Sequence, residues 1–124
     1  FVPVITAGPP FIKAVKTPLL KDAHLMVEEP LAKVADYVAA GADIVTVHVE
    51  ATRHLHRVLQ QLAQMANAND PARGIVRGVA LNPATPVDAV GPVLDEVDLI
   101  LLLAWGVLLK LKASEKVTFS QAPL

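Results

Sequence analysis

The feature that most constrains this chain is an alternation, repeated along its length, between short apolar runs and segments that are apolar every third or fourth residue. "AHLMV" (residues 23–27) has the length of a strand, and Pro30 then takes the first position of a helix. In that helix Leu31, Val34, Ala35, Val38 and Ala39 fall at helical spacing, and Gly41 stops it. "DIVTVHV" (43–49) predicts a second strand, and Leu55, Val58, Leu59 and Leu62 form the stripe of a second helix. "NANDPARG" (67–74) punctuates the chain, and "IVRGVAL" (75–81) predicts a third strand. "NPATPVDAV" (82–90) predicts a third helix with Thr85 as N-cap, Pro86 at N1 and Asp88 at N3, and "DLILLLA" (98–104) predicts a fourth strand. The opening "FVPVITAGPP" (1–10), with its prolines and glycine, predicts a loop. Near-continuous apolar strands alternating with helices imply a parallel sheet covered by helices, so the fold class is α/β.

Composition narrows what such a fold can do. With 124 residues, 53% of them apolar, the chain can build one core but hardly two. Eleven basic residues against 12 acidic ones, with no long basic run, argue against nucleic acid and against a polybasic membrane patch, and leave a small molecule as the expected partner. The absence of cysteine excludes a disulfide framework and thiolate chemistry, so histidine and carboxylates must carry any reaction. The longest apolar run, Leu99 to Leu109, falls short of the roughly 20 residues of a membrane span, and no basic region followed by an apolar one opens the chain. The expectation is a soluble, cytoplasmic protein. Because the chain starts at Phe1, inside a loop, it reads as part of something longer.

Two architectures are built from such units, the open doubly wound sheet and the (β/α)8 barrel. Strand alternation puts His24, Met26 and Glu28 on one face of the first strand and Ala23, Leu25 and Val27 on the other. In the second, Thr46, His48 and Glu50 oppose Val45, Val47 and Val49. One uniformly apolar face suits packing under helices, and a polar opposite face suits the inside of a barrel near its mouth. An open nucleotide-binding sheet would instead call for a glycine-rich phosphate turn, and the sequence has neither G-x-G-x-x-G nor a P-loop. The barrel is the expected form.

Four blocks, "FVPVITAGPP", "DAHLMVEEP" (22–30), "AAGADIVTVHVEAT" (39–52) and "GVALNPATP" (78–86), in this order and at these spacings, resemble the ribulose-phosphate 3-epimerases, from Phe1 to about Leu103. The resemblance implies a barrel enzyme of the pentose phosphate pathway that inverts carbon 3 of a ketopentose 5-phosphate. It also implies a divalent cation (zinc, iron, manganese or cobalt) that is held by two histidines and two aspartates and polarises the substrate carbonyl, while the aspartates move the proton. On the H-L-M-V motif it assigns His24 as a metal ligand that also faces the substrate, and Met26 as part of the substrate pocket.

The departures are equally specific. In the family the strand bearing the first histidine and aspartate precedes the "F-V-P" block, and the second aspartate would fall beyond Leu124, so no acid/base residue is expected in this chain. Where a glycine-rich phosphate loop should follow "LILLLA", the chain reads "WGVLLKLKASEKVTF", with Gly106 alone retained, and Val4 stands where the family usually has asparagine. About four of eight βα units are present, a half barrel whose open edges imply a homo-oligomer. The plainer alternative for His24 is a core histidine, and for Met26 core filling. His48 and Glu50 read as a structural interior pair rather than a second metal pair. His54 and His56 fall on different helix faces and read as solvated. Asn82 suits either a substrate contact or a turn, and Lys110 and Lys112 either meet a phosphate or solubilise an apolar end. Beside the epimerase stand two other classes: a non-catalytic fragment or homologue that acts by association, and an open α/β module binding a small phosphorylated ligand.

Overall fold

The computed structural model describes residues 8–104 and 107–112, with side chains from 8 to 103. The first described element is a short helix α1 (Pro9–Ala14), which takes in the last two residues of the expected loop 1–10, whose first seven lie outside the described residues: Gly8 caps it, and two prolines occupy its opening turn, where their missing N–H groups cost nothing. Strand β1 (Asp22–Leu25) leads through a 3-10 turn (Pro30–Ala32) into α2 (Val34–Ala39), which ends at Gly41 with φ +105°, a left-handed position suited to glycine. Pro30 opens the 3-10 turn as the sequence predicts. The helix is shorter than predicted, and its buried face is Val34, Tyr37 and Val38, leaving Ala35 and Ala39 exposed, because the 3-10 turn shifts the phase of the stripe.

Strand β2 (Ile44–His48), a 3-10 turn (Val49–Ala51) and α3 (Leu55–Ala63) form the second unit. In α3 the predicted stripe is the buried one: Leu55, Val58, Leu59 and Leu62 are all covered. Strand β3 (Val76–Leu81) is followed by a 3-10 segment, Val87–Glu96, rather than the predicted α-helix. Pro92 lies inside it and has no N–H for an α-type bond, and Pro86, not Thr85, holds the cap position without a side-chain bond. The hydroxyl of Thr85 is used elsewhere.

Strands β1 to β4 (β4 is Leu99–Ala104) pair in sequential order and all in parallel. This α/β arrangement has the neighbour relations of consecutive strands in a (β/α)8 barrel. A fifth strand, β5 (Val107–Lys112), was not predicted, and it pairs antiparallel with β4. Only two residues separate the pair, whereas a parallel connection needs about a dozen, so the direction of β5 follows from its distance alone.

The register assigns the faces. Ala23, Leu25, Val45, Val47, Val79 and Leu81 point to the helices and form one apolar core with Val34, Val38, Val58, Leu59 and Leu62. His24, Thr46, Gly78 and Leu99 share one level on the opposite face, and His48, Ala80 and Leu101 the next. Thr46, His48, Ala80 and Leu101 are buried there too. At the amino edge, buried Asp43 accepts from the Lys21 amide at 2.8 Å, Asn67 at 3.0 Å and Asn69 at 3.1 Å, with Arg73 at 3.4 Å. Burial works to raise the Asp43 carboxyl, but these donors and the Arg73 guanidinium outweigh it and hold it below the usual carboxylate range. The bonds fasten the segments that enter β1, β2 and β3.

Candidate functional site

Polar side chains converge at the carboxyl end of the inner face, where enzymes built from parallel βα units place their chemistry. His24 lies in β1, and His48, the last residue of β2, is its diagonal neighbour on the same face. Their Nε2 atoms are 2.8 Å apart. The ring centroids are 4.9 Å apart with planes 12° from parallel, so the imidazoles meet through their edges, as an in-plane N–H···N bond requires.

The other nitrogen of His48, Nδ1, lies 3.2 Å from Glu50 Oε2. Strand alternation had placed Glu50 on the face of His48, but β2 ends at His48, and it is the 3-10 turn that carries the Glu50 carboxylate back to the ring. Glu50 Oε1 in turn accepts the amide N–H of Asn82 at 2.8 Å and the hydroxyl of Thr85. Burial acts to raise Glu50, yet the bonds from Thr85, Asn82 and His48 prevail and hold it below the ordinary carboxylate value. Burial pushes the His48 imidazole down, more than the Glu50 bond and charge pull it up, so it is neutral at pH 7. A chain of bonds thus runs from β1 through β2 to the loop after β3.

The donor chemistry limits what a cation could use. The 2.8 Å between His24 and His48 is a hydrogen-bond distance, shorter than the roughly 3.4 Å between two nitrogens on one tetrahedral ion. No group of three or more histidine or acidic side chains placed to hold a metal occurs among the described residues. His24, partly buried on the inner face and held by a neutral neighbour, fits the role of one ligand in a larger set. Met26, just past β1, is 51% exposed at the same edge. A groove of about 490 Å³, lined by Lys16, Lys21, Asp43 and Arg73 among others, opens at the amino edge. Its Lys21 already donates to the Ile12 carbonyl and its Arg73 to Asp43 and Asp70, and it lies at the end of the sheet that serves stability.

Residues 1–106 match the family model for the ribulose-phosphate 3 epimerase family. The chain belongs to that family. It is 45% identical over 105 residues to the ribulose-phosphate 3-epimerase of Bacillus subtilis, covering 83% of this chain and 45% of the relative. It is also 45% identical over 108 residues to the chloroplastic ribulose-5-phosphate-3-epimerase of Arabidopsis thaliana, covering 84% of this chain and 36% of the relative. With the Synechocystis ribulose-phosphate 3-epimerase it shares 45% over 109 residues, 84% of this chain and 44% of the relative. The chain spans less than half the length of these curated relatives. The family match stops at 106, and the sheet turns from parallel to antiparallel at Val107.

Within this epimerase-family chain, the structure brings His24 together with His48 and Glu50, and leaves Met26 at the rim. Asn82 meets Glu50 through its backbone N–H. His54 and His56 are exposed as expected, and His56 pairs with Glu96 at 3.0 Å. Val4, Gly106 and the side chains of Lys110 and Lys112 lie outside the described residues. The role of Thr85 was missed because its place before Pro86 suits a cap equally well, and only the packing of neighbouring loops shows that its hydroxyl turns to Glu50.

Proposed function

We propose that this chain supplies the His24 part of a metal-dependent epimerase site acting at carbon 3 of ribulose 5-phosphate. The observation that carries the reading is the place of His24: on the inner face of sequential parallel strands, away from the helix-covered core, in a chain of this family. A divalent cation, when bound, supplies Lewis-acid polarisation of the ketose carbonyl. His24 holds it through one ring nitrogen, His48 fixes the plane of that ring, and Glu50 with the Asn82 and Thr85 donors fixes His48. Met26 at the carboxyl rim offers an apolar wall to the substrate. The two aspartates that the family resemblance assigns to the carbon 3 proton have no counterpart among these 124 residues, which alone are expected to give no turnover.

The test is a chimera in which the 105 aligned residues of the Bacillus subtilis relative are replaced by their counterparts from this chain. It is expected to bind about one divalent ion and to convert ribulose 5-phosphate, and His24→Ala in it is expected to lose both. A folded chimera that is inactive with metal supplied, or a His24→Ala form with unchanged metal content, overturns the reading.

A further inference from the structure

We propose that Glu50 and His48 are positioning residues that hold His24 in one tautomer, with its proton on Nε2 and its lone pair on Nδ1. The donors around Glu50 set the direction of the chain. A backbone N–H can only donate, so the Asn82 amide marks Glu50 Oε1 as an acceptor, and the Thr85 hydroxyl donates to the same oxygen. Anchored in this way, the carboxylate turns Oε2 to His48 Nδ1, which must therefore carry the His48 proton. A neutral imidazole has one N–H, so His48 Nε2 is an acceptor. The 2.8 Å contact between the two Nε2 atoms then needs a proton from His24. His24 keeps its lone pair on Nδ1.

The edge-to-edge approach of the rings allows this bond to lie in both ring planes. The consequence for a ligand is direct, because the nitrogen that meets a cation must be unprotonated and a partner on the other nitrogen selects it. That consequence rests on the proposed metal role of His24. The tautomer itself does not.

The experiment is long-range 1H–15N NMR of the histidine rings in this chain at about pH 8, above the ordinary imidazole pKa of about 6.5. In the wild type, His24 is expected to show a protonated Nε2 and an unprotonated Nδ1. Glu50→Gln keeps the shape and reverses the polarity: the amide oxygen stays on the Asn82 and Thr85 donors, and the amide NH2 donates to His48 Nδ1. The pattern is then expected to invert at both rings, with the proton of His24 moving to Nδ1. A wild-type His24 protonated on Nδ1 overturns the proposal, whether or not the variant folds, and so does a folded Glu50→Gln with an unchanged His24 pattern. Glu50→Gln in the chimera separates the two ideas. A fall in metal affinity of roughly tenfold or more supports both. An inverted tautomer with undiminished metal supports the relay and removes His24 as the ligand.

Discussion

Gly78 lies beside Thr46 on the inner face, and a methyl group added to it would sit 2.4 Å from Thr46 Oγ1 and 3.2 Å from Thr46 Cα. The hydroxyl cannot swing away without cost, since it donates to Asp22 Oδ1 at 3.1 Å. Gly78→Ala is therefore expected to destabilise the fold by about 1–3 kcal/mol, as overpacking of a closed core does. The entropy gained by removing a glycine from the unfolded chain, about 0.4–1 kcal/mol, offsets only part of this. Urea denaturation measures the loss, and a variant as stable as the wild type would contradict the contact. In a Thr46→Ala background the same substitution is expected to cost less, because the nearest atom is gone.

Helix α3 and the loops at the amino edge stabilise the sheet in different ways. Leu59 is fully buried between α3 and the strands, so Leu59→Ala is expected to cost about 2–5 kcal/mol through lost transfer energy and the cavity left behind. His56 on the same helix is exposed, and His56→Ala is expected to change stability by no more than about 0.5 kcal/mol. Chemical denaturation of the two variants checks the contrast. Asp43 acts through charge and hydrogen bonds. Its folded-state carboxyl titrates below the ordinary value of about 3.9, so its contribution is complete above that pH and is lost as pH falls through the lower folded-state value. Asp43→Asn is expected to lose about 1–3 kcal/mol near pH 7, since an amide cannot accept all the donors now on Oδ1 and Oδ2. Measured across an acid titration, the gap between wild type and variant should close below about pH 4. A gap that is constant with pH would assign the loss to shape and not to charge.

At the scale of the whole molecule, the parallel strands β1 to β4 are about half of the eight that close a (β/α)8 barrel. The expected outcome is association, with light scattering giving a mass above that of one chain and falling on dilution. A single-chain mass at every concentration would contradict that expectation. No described helix is long and apolar enough to cross a membrane.

The order of strands and helices was legible because burial on both faces of a parallel sheet leaves an unbroken apolar run, as in "LILLL" (99–103), and a helix on its surface leaves a stripe, as in Leu55, Val58, Leu59 and Leu62. Period-two alternation likewise separates the His24 face from the Leu25 face in the sequence itself. The sequence could not show that β2 stops at His48, that Pro92 keeps Val87–Glu96 from becoming α-helical, or that Thr85 leaves its cap for Glu50. Periodicity is a property of one element and reports which way its side chains point. A hydrogen-bonded chain through His24, His48, Glu50 and Thr85 depends on where the turns after separate strands come to rest, and only the packing of those strands against one another decides that.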